Sequence, residues 1–274
     1  IFVFMKLHSS KRWYIHIIYY SLLKFSRFFT NNIFGRNEHK FLFILCPPYC
    51  GSTLLNQILS TSNNLSCNNH LGVREGQLLP EVKSIMFFNK GWDTDVSYPW
   101  QKIKNVWMKY WDQRKEILMD KSTTNIMRVD EIKKVFKNIY FLAMVRDPYA
   151  HVEGIIRRNS STVDYAAKFA LKCLRYQKYN IENERNLLFL SYEDLCDKKE
   201  YSIQKIEEFI PALGAINSDL EFKAHNFKTK GRMKIKNLNY EKISKLTADQ
   251  IKVINSYFKK EVDLLNYFGY KIIE

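Results

Sequence analysis

The chain contains no paired CxxC unit: its five cysteines, Cys46, Cys50, Cys67, Cys173 and Cys196, are odd in number and scattered. That distribution argues against a zinc site or a disulfide framework, and for a reducing compartment. No internal repeat and no low-complexity linker divides the sequence. No GK[ST] ending is present, so there is no Walker A loop and no lysine to reach a γ-phosphate. A long apolar run is missing too, because the aromatic stretch Trp13 to Phe34 is interrupted by Lys24 and Arg27. Its uninterrupted part is too short to span a bilayer. No small-residue cleavage site follows it, so a cleaved signal peptide is not expected. Acidic charge is in deficit, with 28 Asp and Glu against 43 Lys and Arg, a formal net charge of +15.

What remains is globular in composition. With 274 residues, 46% hydrophobic and 15% aromatic, the chain can bury a sizeable core as one domain. The basic excess points to anionic partners such as a nucleotide, an acidic polymer or a membrane surface. A genome biased toward Lys and Asn codons would produce the same excess. Residues 1–40 form a basic, amphipathic and aromatic segment, and residues 41–274 the main domain. Within the first segment, residues 13–34 read as a helix that either packs on the domain or lies at a membrane interface. The protein is then cytoplasmic or membrane-associated.

The stretch FLFILCPPYCGSTLLNQILS, Phe41 to Ser60, organises the rest. Phe41 to Leu45 read as a short buried strand, and Leu54, Leu55, Ile58 and Leu59 follow at helical spacing. A strand, a tight loop and a helix N-terminus make an anion site. Backbone amides of the loop, with the hydroxyls of Ser52 and Thr53, would surround a phosphate. Further along, helical spacing appears near Leu79 to Phe88 and from Trp100 to Arg114. A strand is expected at Ile117 to Asp120, a helix at Asn125 to Phe136, and the clearest buried strand at Ile139 to Val145. That strand leads into Arg146-Asp147-Pro148 and another helix. Asn186 to Ser191 supplies a fourth strand, and Thr247 to Tyr267 one long amphipathic helix. Such alternation predicts an α/β fold with a mainly parallel central sheet flanked by helices, ligands binding beyond the strands' carboxyl ends. Ala224 to Asn239, where lysines alternate around Gly231, is the best candidate for an irregular exposed segment.

Five pieces in order, CPPYCGSTLL, REGQLLP, WDQRKEILMDKSTTNIMRV, IYFLAMVRDPYAHVEGIIRR and FLSYEDL, together resemble the sulfotransferase family over roughly Phe41 to Tyr270. The resemblance implies a three-layer, P-loop-like fold and a sulfo donor, 3′-phosphoadenosine 5′-phosphosulfate. It also implies transfer to an acceptor hydroxyl on a carbohydrate, a protein tyrosine or a small alcohol. Neither nucleic acid nor metal is expected as a partner, since lysine and backbone dipoles can stabilise the leaving group.

Residue by residue, the loop Tyr49, Cys50, Gly51, Ser52, Thr53 and Leu54 corresponds to the family's 5′-phosphosulfate loop. Many members carry a Lys or Arg in this loop, near the position of Tyr49 or Cys50, and Lys121 in DKST is nominated as the cation in its stead. Arg146 matches the arginine that grips the 3′-phosphate. The serine usual eight positions later is Gly154 here, with Arg157 or Arg158 on the next turn to add charge. Tyr192 matches a family tyrosine near the nucleotide, and Lys230 with Gly231 resembles the late Lys-Gly pair that closes over the 3′-phosphate. Glu75 in REGQ occupies the place of a family base, and His70 is the second candidate for that role.

Each of these residues also has a plainer explanation. Arg146 and Asp147 would serve as a helix-capping ion pair, and Glu75 would pair with Arg74 on a solvated loop. Lys121 would be exposed beyond its strand, and Tyr192 would be a core-edge tyrosine with its hydroxyl satisfied. Lys228 to Lys236 would be a solvated face, and Cys46 and Cys50 small buried apolar residues. Two other functions compete: a nucleotide kinase, against which the missing Walker lysine speaks, and a nucleotide-binding member of the fold with weakened turnover.

Overall fold

Every strand of the central sheet ends at the same edge, and that edge carries the loops singled out above. The computed structural model describes residues 10–87, 91–219, 221–222 and 234–274. Its five strands are β1 (Lys40–Leu45), β2 (Leu65–Cys67), β3 (Ile117–Asp120), β4 (Ile139–Val145) and β5 (Leu187–Ser191). They lie in the order β2-β3-β1-β4-β5, and every pairing is parallel. Strand β1 is central, with β3 on one side and β4 on the other, so the connections diverge around its carboxyl end. In open α/β sheets such a switch point is where ligands bind.

Parallel strands covered on both faces need apolar residues on both, and β1 supplies them. Phe41, Phe43 and Leu45 join a core with Trp107, Trp111 and Phe136, while Leu42 and Ile44 face the opposite way, onto Leu55, Ile58 and Leu59. The helices are α1 (Ser10–Phe34), α2 (Ser52–Leu59), α3 (Lys83–Met86), α4 (Trp100–Met108), α5 (Val129–Val135), α6 (Pro148–Asn159), α7 (Val163–Asn183), α8 (Tyr192–Asp197), α9 (Lys199–Phe209), α10 (Asn239–Ile243), α11 (Ala248–Phe258) and α12 (Val262–Tyr267). Helices on both faces of the sheet complete three layers.

Four expected strands are present at nearly the expected bounds, and β2 is an addition, a three-residue strand too short for any period to reveal. The helices expected at Leu79 to Phe88 and Trp100 to Arg114 shrink to α3 and α4. Pro80 lies within the first of these stretches and disfavours an uninterrupted helix. The helix expected over Asn125 to Phe136 begins as a 3₁₀ turn, Thr123–Met127, and becomes α5 only after Arg128 leaves helical geometry. The single helix expected over Thr247 to Tyr267 is divided by a 3₁₀ turn at Lys259–Glu261. Its apolar spacing runs straight through that break, which is why the pattern reads as continuous.

Helix α1 lies against the body through one face. Tyr20 is buried there and donates to Asn69 Oδ1 at 3.1 Å, Lys24 pairs with Glu81 at 2.7 Å, and Arg27 pairs with Asp112 at 2.8 Å. Ile15, Ile18, Leu22, Phe25, Phe29 and Ile33 are exposed on the other face. No helix among the described residues is long and apolar enough to cross a membrane.

Candidate active site

The loop between β1 and α2 turns on two residues with positive φ, Tyr49 at 67° and Gly51 at 96°. Strain of this kind is costly for tyrosine and persists only where the surroundings enforce it. Here the Tyr49 ring is held at its far end, its hydroxyl donating to Asn159 Oδ1 at 2.5 Å. Gly51 has no alternative, because an added Cβ would stand 2.6 Å from Tyr192 Cδ2. The N–H groups of Leu54 and Leu55 both return to the Gly51 carbonyl. The amides of Ser52 and Thr53 therefore open the first turn of α2, where a helix has no internal acceptor for them. Behind the loop, buried Gln177 of α7 donates to the strand-end carbonyls of Leu45 and Met144, at 2.6 and 3.0 Å.

Lys121 follows β3 and is 1% exposed, not a surface lysine beyond a strand. Its Nζ donates to Ser52 Oγ at 3.2 Å, to Thr53 Oγ1 at 3.3 Å and to Glu75 Oε1 at 3.2 Å. A burial this deep requires an anionic partner and full hydrogen bonding, and Glu75 with the two hydroxyls supplies both. Glu75 thus pairs with Lys121, while Arg74 turns to Asn56 Oδ1 and Ser60 Oγ. The other Glu75 oxygen, Oε2, accepts from Gln77 Nε2 at 2.5 Å.

Asp120, the last residue of β3, builds this corner. Its Oδ1 accepts from Asn68 Nδ2 at 2.8 Å, from the Gly76 amide at 3.0 Å and from Ser122 Oγ at 3.2 Å. Its Oδ2 accepts from the Ser122 amide at 2.9 Å and from Asn125 Nδ2 at 2.8 Å. One buried carboxylate so ties Lys121's segment to Glu75's, and an added Cβ at Gly76 would fall 2.1 Å from Asp120 Oδ1. His70 is exposed, and its Nδ1 faces the Cys67 thiol at 3.7 Å.

Arg146 follows β4 and is 5% exposed. Its guanidinium lies 3.9 Å from the Tyr192 ring centroid, the stacking that this planar cation favours. Nε donates to Asn239 Oδ1 at 2.6 Å and Nη1 to the Tyr49 carbonyl at 3.3 Å. Nη2 is buried with no acceptor among the described residues, where buried polar groups ordinarily have one. Asp147 is not Arg146's partner. It caps α6, its side chain accepting from the amides of Tyr149 and Ala150. Burial pushes the Asp147 carboxyl up from the usual range.

Tyr192 is both a core residue and a platform. Its hydroxyl donates to the Lys236 carbonyl at 3.1 Å and accepts from the Leu238 amide at 3.3 Å, so only its ring meets Arg146 and Gly51. At Gly154 an added Cβ would lie 2.9 Å from Tyr49 Cβ. Arg157 pairs with Glu153, and Arg158, beside Tyr49, is held below the usual guanidinium range by burial and by Arg157. Leu54 packs into the core with Leu55. Burial raises the Cys46 thiol to about 12 and the Cys50 thiol well above its ordinary value, so both stay protonated. Lys230 and Gly231 lie outside the described residues.

The loop after β1, Lys121 after β3 and Arg146 after β4 thus meet at one end of the sheet, joined through the Tyr49 carbonyl and the Ser52 hydroxyl. The fold is that of a P-loop-like α/β protein, with these cations and hydroxyls gathered at the carboxyl end of its sheet. Residues 42–211, more than half of the sequence, match the sulfotransferase family, and the chain belongs to that family. Among solved structures it is similar to the sulfotransferase domain of the olefin synthase of Synechococcus PCC 7002. Identity is 19% and the TM-score 0.57, over 87% of this chain and 97% of that domain. It is also similar to the sulfotransferase domain from the curacin biosynthetic pathway, with 17% identity and a TM-score of 0.53, over 87% of this chain and 100% of that one. At such identities the likeness is one of fold. No curated protein sequence matches.

Asn239, Asp120, Gln177 and Lys242 escaped the sequence reading. Asn239 and Lys242 belong to a five-residue helix, α10, that returns to the site from far along the chain and carries no local signal.

Proposed function

We propose that the protein transfers a sulfo group from 3′-phosphoadenosine 5′-phosphosulfate to an acceptor hydroxyl, with Glu75 as base and Lys121 as stabiliser of the leaving group. The observation that carries this is the single ammonium of Lys121, which meets both loop hydroxyls and Glu75 at 3.2 to 3.3 Å. The donor set suits the nucleotide: amides and hydroxyls after β1 for the 5′-phosphate, and Arg146 with its spare Nη2 for the 3′-phosphate.

In the reaction, Glu75 takes the acceptor's proton as the acceptor oxygen bonds to sulfur. The bond from sulfur to the 5′-phosphate oxygen breaks in line, and the electron pair leaves with adenosine 3′,5′-bisphosphate. Lys121 offsets the charge that grows on that leaving oxygen. His70 has no comparable set of neighbours, and a carbohydrate, a protein tyrosine or a small alcohol each offers the required hydroxyl. Transfer of labelled sulfo groups onto a panel of such acceptors tests the assignment. Glu75→Gln abolishes turnover and leaves bisphosphate affinity intact, whereas a fully active Glu75→Gln enzyme sinks the role given to Glu75. Binding without transfer from the wild-type protein to any acceptor favours the weakened member of the fold.

We further infer that the outer face of α1 touches an anionic membrane interface. Its two mid-helix cations face inward onto Glu81 and Asp112, leaving an apolar stripe outward on a body of net charge +15. Co-sedimentation with vesicles containing anionic lipid tests it, and equal sedimentation of a Phe25→Asp, Phe29→Asp variant refutes it.

A further inference from the structure

Gly154 lies where the family usually has a serine, and the space beside it is filled from elsewhere. An added Cβ there would stand 3.0 Å from Lys242 Nζ. Lys242 sits on α10, and at 9% exposure its side chain is buried against α6. Its Nζ donates to the Ala150 carbonyl at 3.3 Å, and Glu153 Oε2 is 3.8 Å away, beyond hydrogen-bond length. Glu153 is itself engaged by Arg157 at 2.5 and 3.4 Å. An ammonium has three donors, and only one is used by a close acceptor in these contacts.

The same short helix holds Arg146, through Asn239 Oδ1 at 2.6 Å. Two buried cations therefore converge on one helix, α10, and both have donors to spare. Like charges are brought together in a dry place only where something of opposite sign completes them.

We propose that Lys242 is a second cationic ligand of the 3′-phosphate, supplying at Gly154 the contact that a serine hydroxyl makes elsewhere in the family. The role rests on the donor assignment above and names a residue which that assignment does not include. Burial, and next the charge of Arg146, hold the Lys242 ammonium down at about 7. A bound phosphate dianion raises it again, so binding above neutral pH takes up a proton, and affinity falls as pH rises from about 7 toward 10.5. Arg146, Arg157 and Glu153 are the charged groups that face Lys242, His151 beside it is depressed to about 3, and burial pushes the Cys50 thiol and the Tyr49 phenol up from their usual ranges.

The test is calorimetric titration of the full chain with adenosine 3′,5′-bisphosphate and with adenosine 5′-monophosphate, which lacks the 3′ group. Lys242→Met is expected to weaken the bisphosphate about tenfold or more and to leave the monophosphate unchanged, while Lys242→Arg keeps most of the preference. Equal affinities for Lys242→Met and wild type, or equal losses for both ligands, overturn the role of Lys242 alone. A wild-type protein without preference for the bisphosphate overturns the donor assignment with it. Should Lys242→Met fail to fold, wild-type titrations at pH 8 in two buffers of different ionisation enthalpy decide: proton uptake with the bisphosphate is expected, and none overturns the proposal.

Discussion

Replacing Gly51 by alanine separates backbone strain from close packing in the loop between β1 and α2. At φ 96° any side chain is strained, at about 1–3 kcal/mol. The new Cβ would also lie 2.6 Å from Tyr192 Cδ2 and 3.1 Å from Cε2. Tyr192 cannot swing aside cheaply, since its hydroxyl is bonded at Lys236 and Leu238 and its ring lies 3.9 Å beneath the Arg146 guanidinium. Forcing atoms into such a site adds about 1–3 kcal/mol, for a total of about 2–6 kcal/mol. Gly269 provides the control, because its φ is 77° but nothing lies within 4 Å of an added Cβ. Gly269→Ala should lose only the backbone share, about 1–3 kcal/mol, and leave bisphosphate affinity unchanged. Urea denaturation measures both stabilities, and titration with adenosine 3′,5′-bisphosphate measures both sites. If Gly51→Ala is no less stable than Gly269→Ala and binds as the wild type does, the loop is not wedged against Tyr192 and the reasoning fails.

Arg146→Ala should weaken bisphosphate binding by more than tenfold, on the scale of about 1.5–3 kcal/mol for a charge-assisted contact, and unchanged calorimetric affinity rules the contact out. Arg146→Lys should recover only part of that loss, since a lysine cannot reach Asn239, Tyr49 and a phosphate together. In acid, His151 works against folding: burial, followed by Lys242 and Arg146, depresses it from 6.5 to about 3, so the unfolded chain binds its proton first. Stability present above pH 6.5 is therefore lost as pH falls toward 3, and His151→Gln should flatten the thermal-melting profile over that window; an unchanged profile refutes the assignment.

Four of the five strands were legible in the sequence because they are short apolar runs, while the three residues of β2 were too few to show a pattern. Ile117–Asp120 and Ile139–Val145 have the expected bounds. Helices were harder, because an apolar period survives a 3₁₀ turn such as Lys259–Glu261 without a mark in the sequence. The loop after β1 and the segments carrying Lys121 and Arg146 could be read locally, since each directly follows a strand. What holds those residues could not. Asp120 reads as the end of a strand, yet it accepts hydrogen bonds from Asn68, Gly76, Ser122 and Asn125. Asn239 and Lys242 meet Arg146 and Gly154 across 93 and 88 residues, a closeness set by tertiary packing alone.

A crystal structure of the protein with adenosine 3′,5′-bisphosphate tests the central claim most directly. The 5′-phosphate is expected on the Ser52 and Thr53 amides and hydroxyls beside Lys121, with Arg146 Nη2, which has no acceptor among the described residues, bonded to the 3′-phosphate. A nucleotide bound away from Gly51 and Arg146, or one whose 3′-phosphate does not touch Arg146, contradicts it.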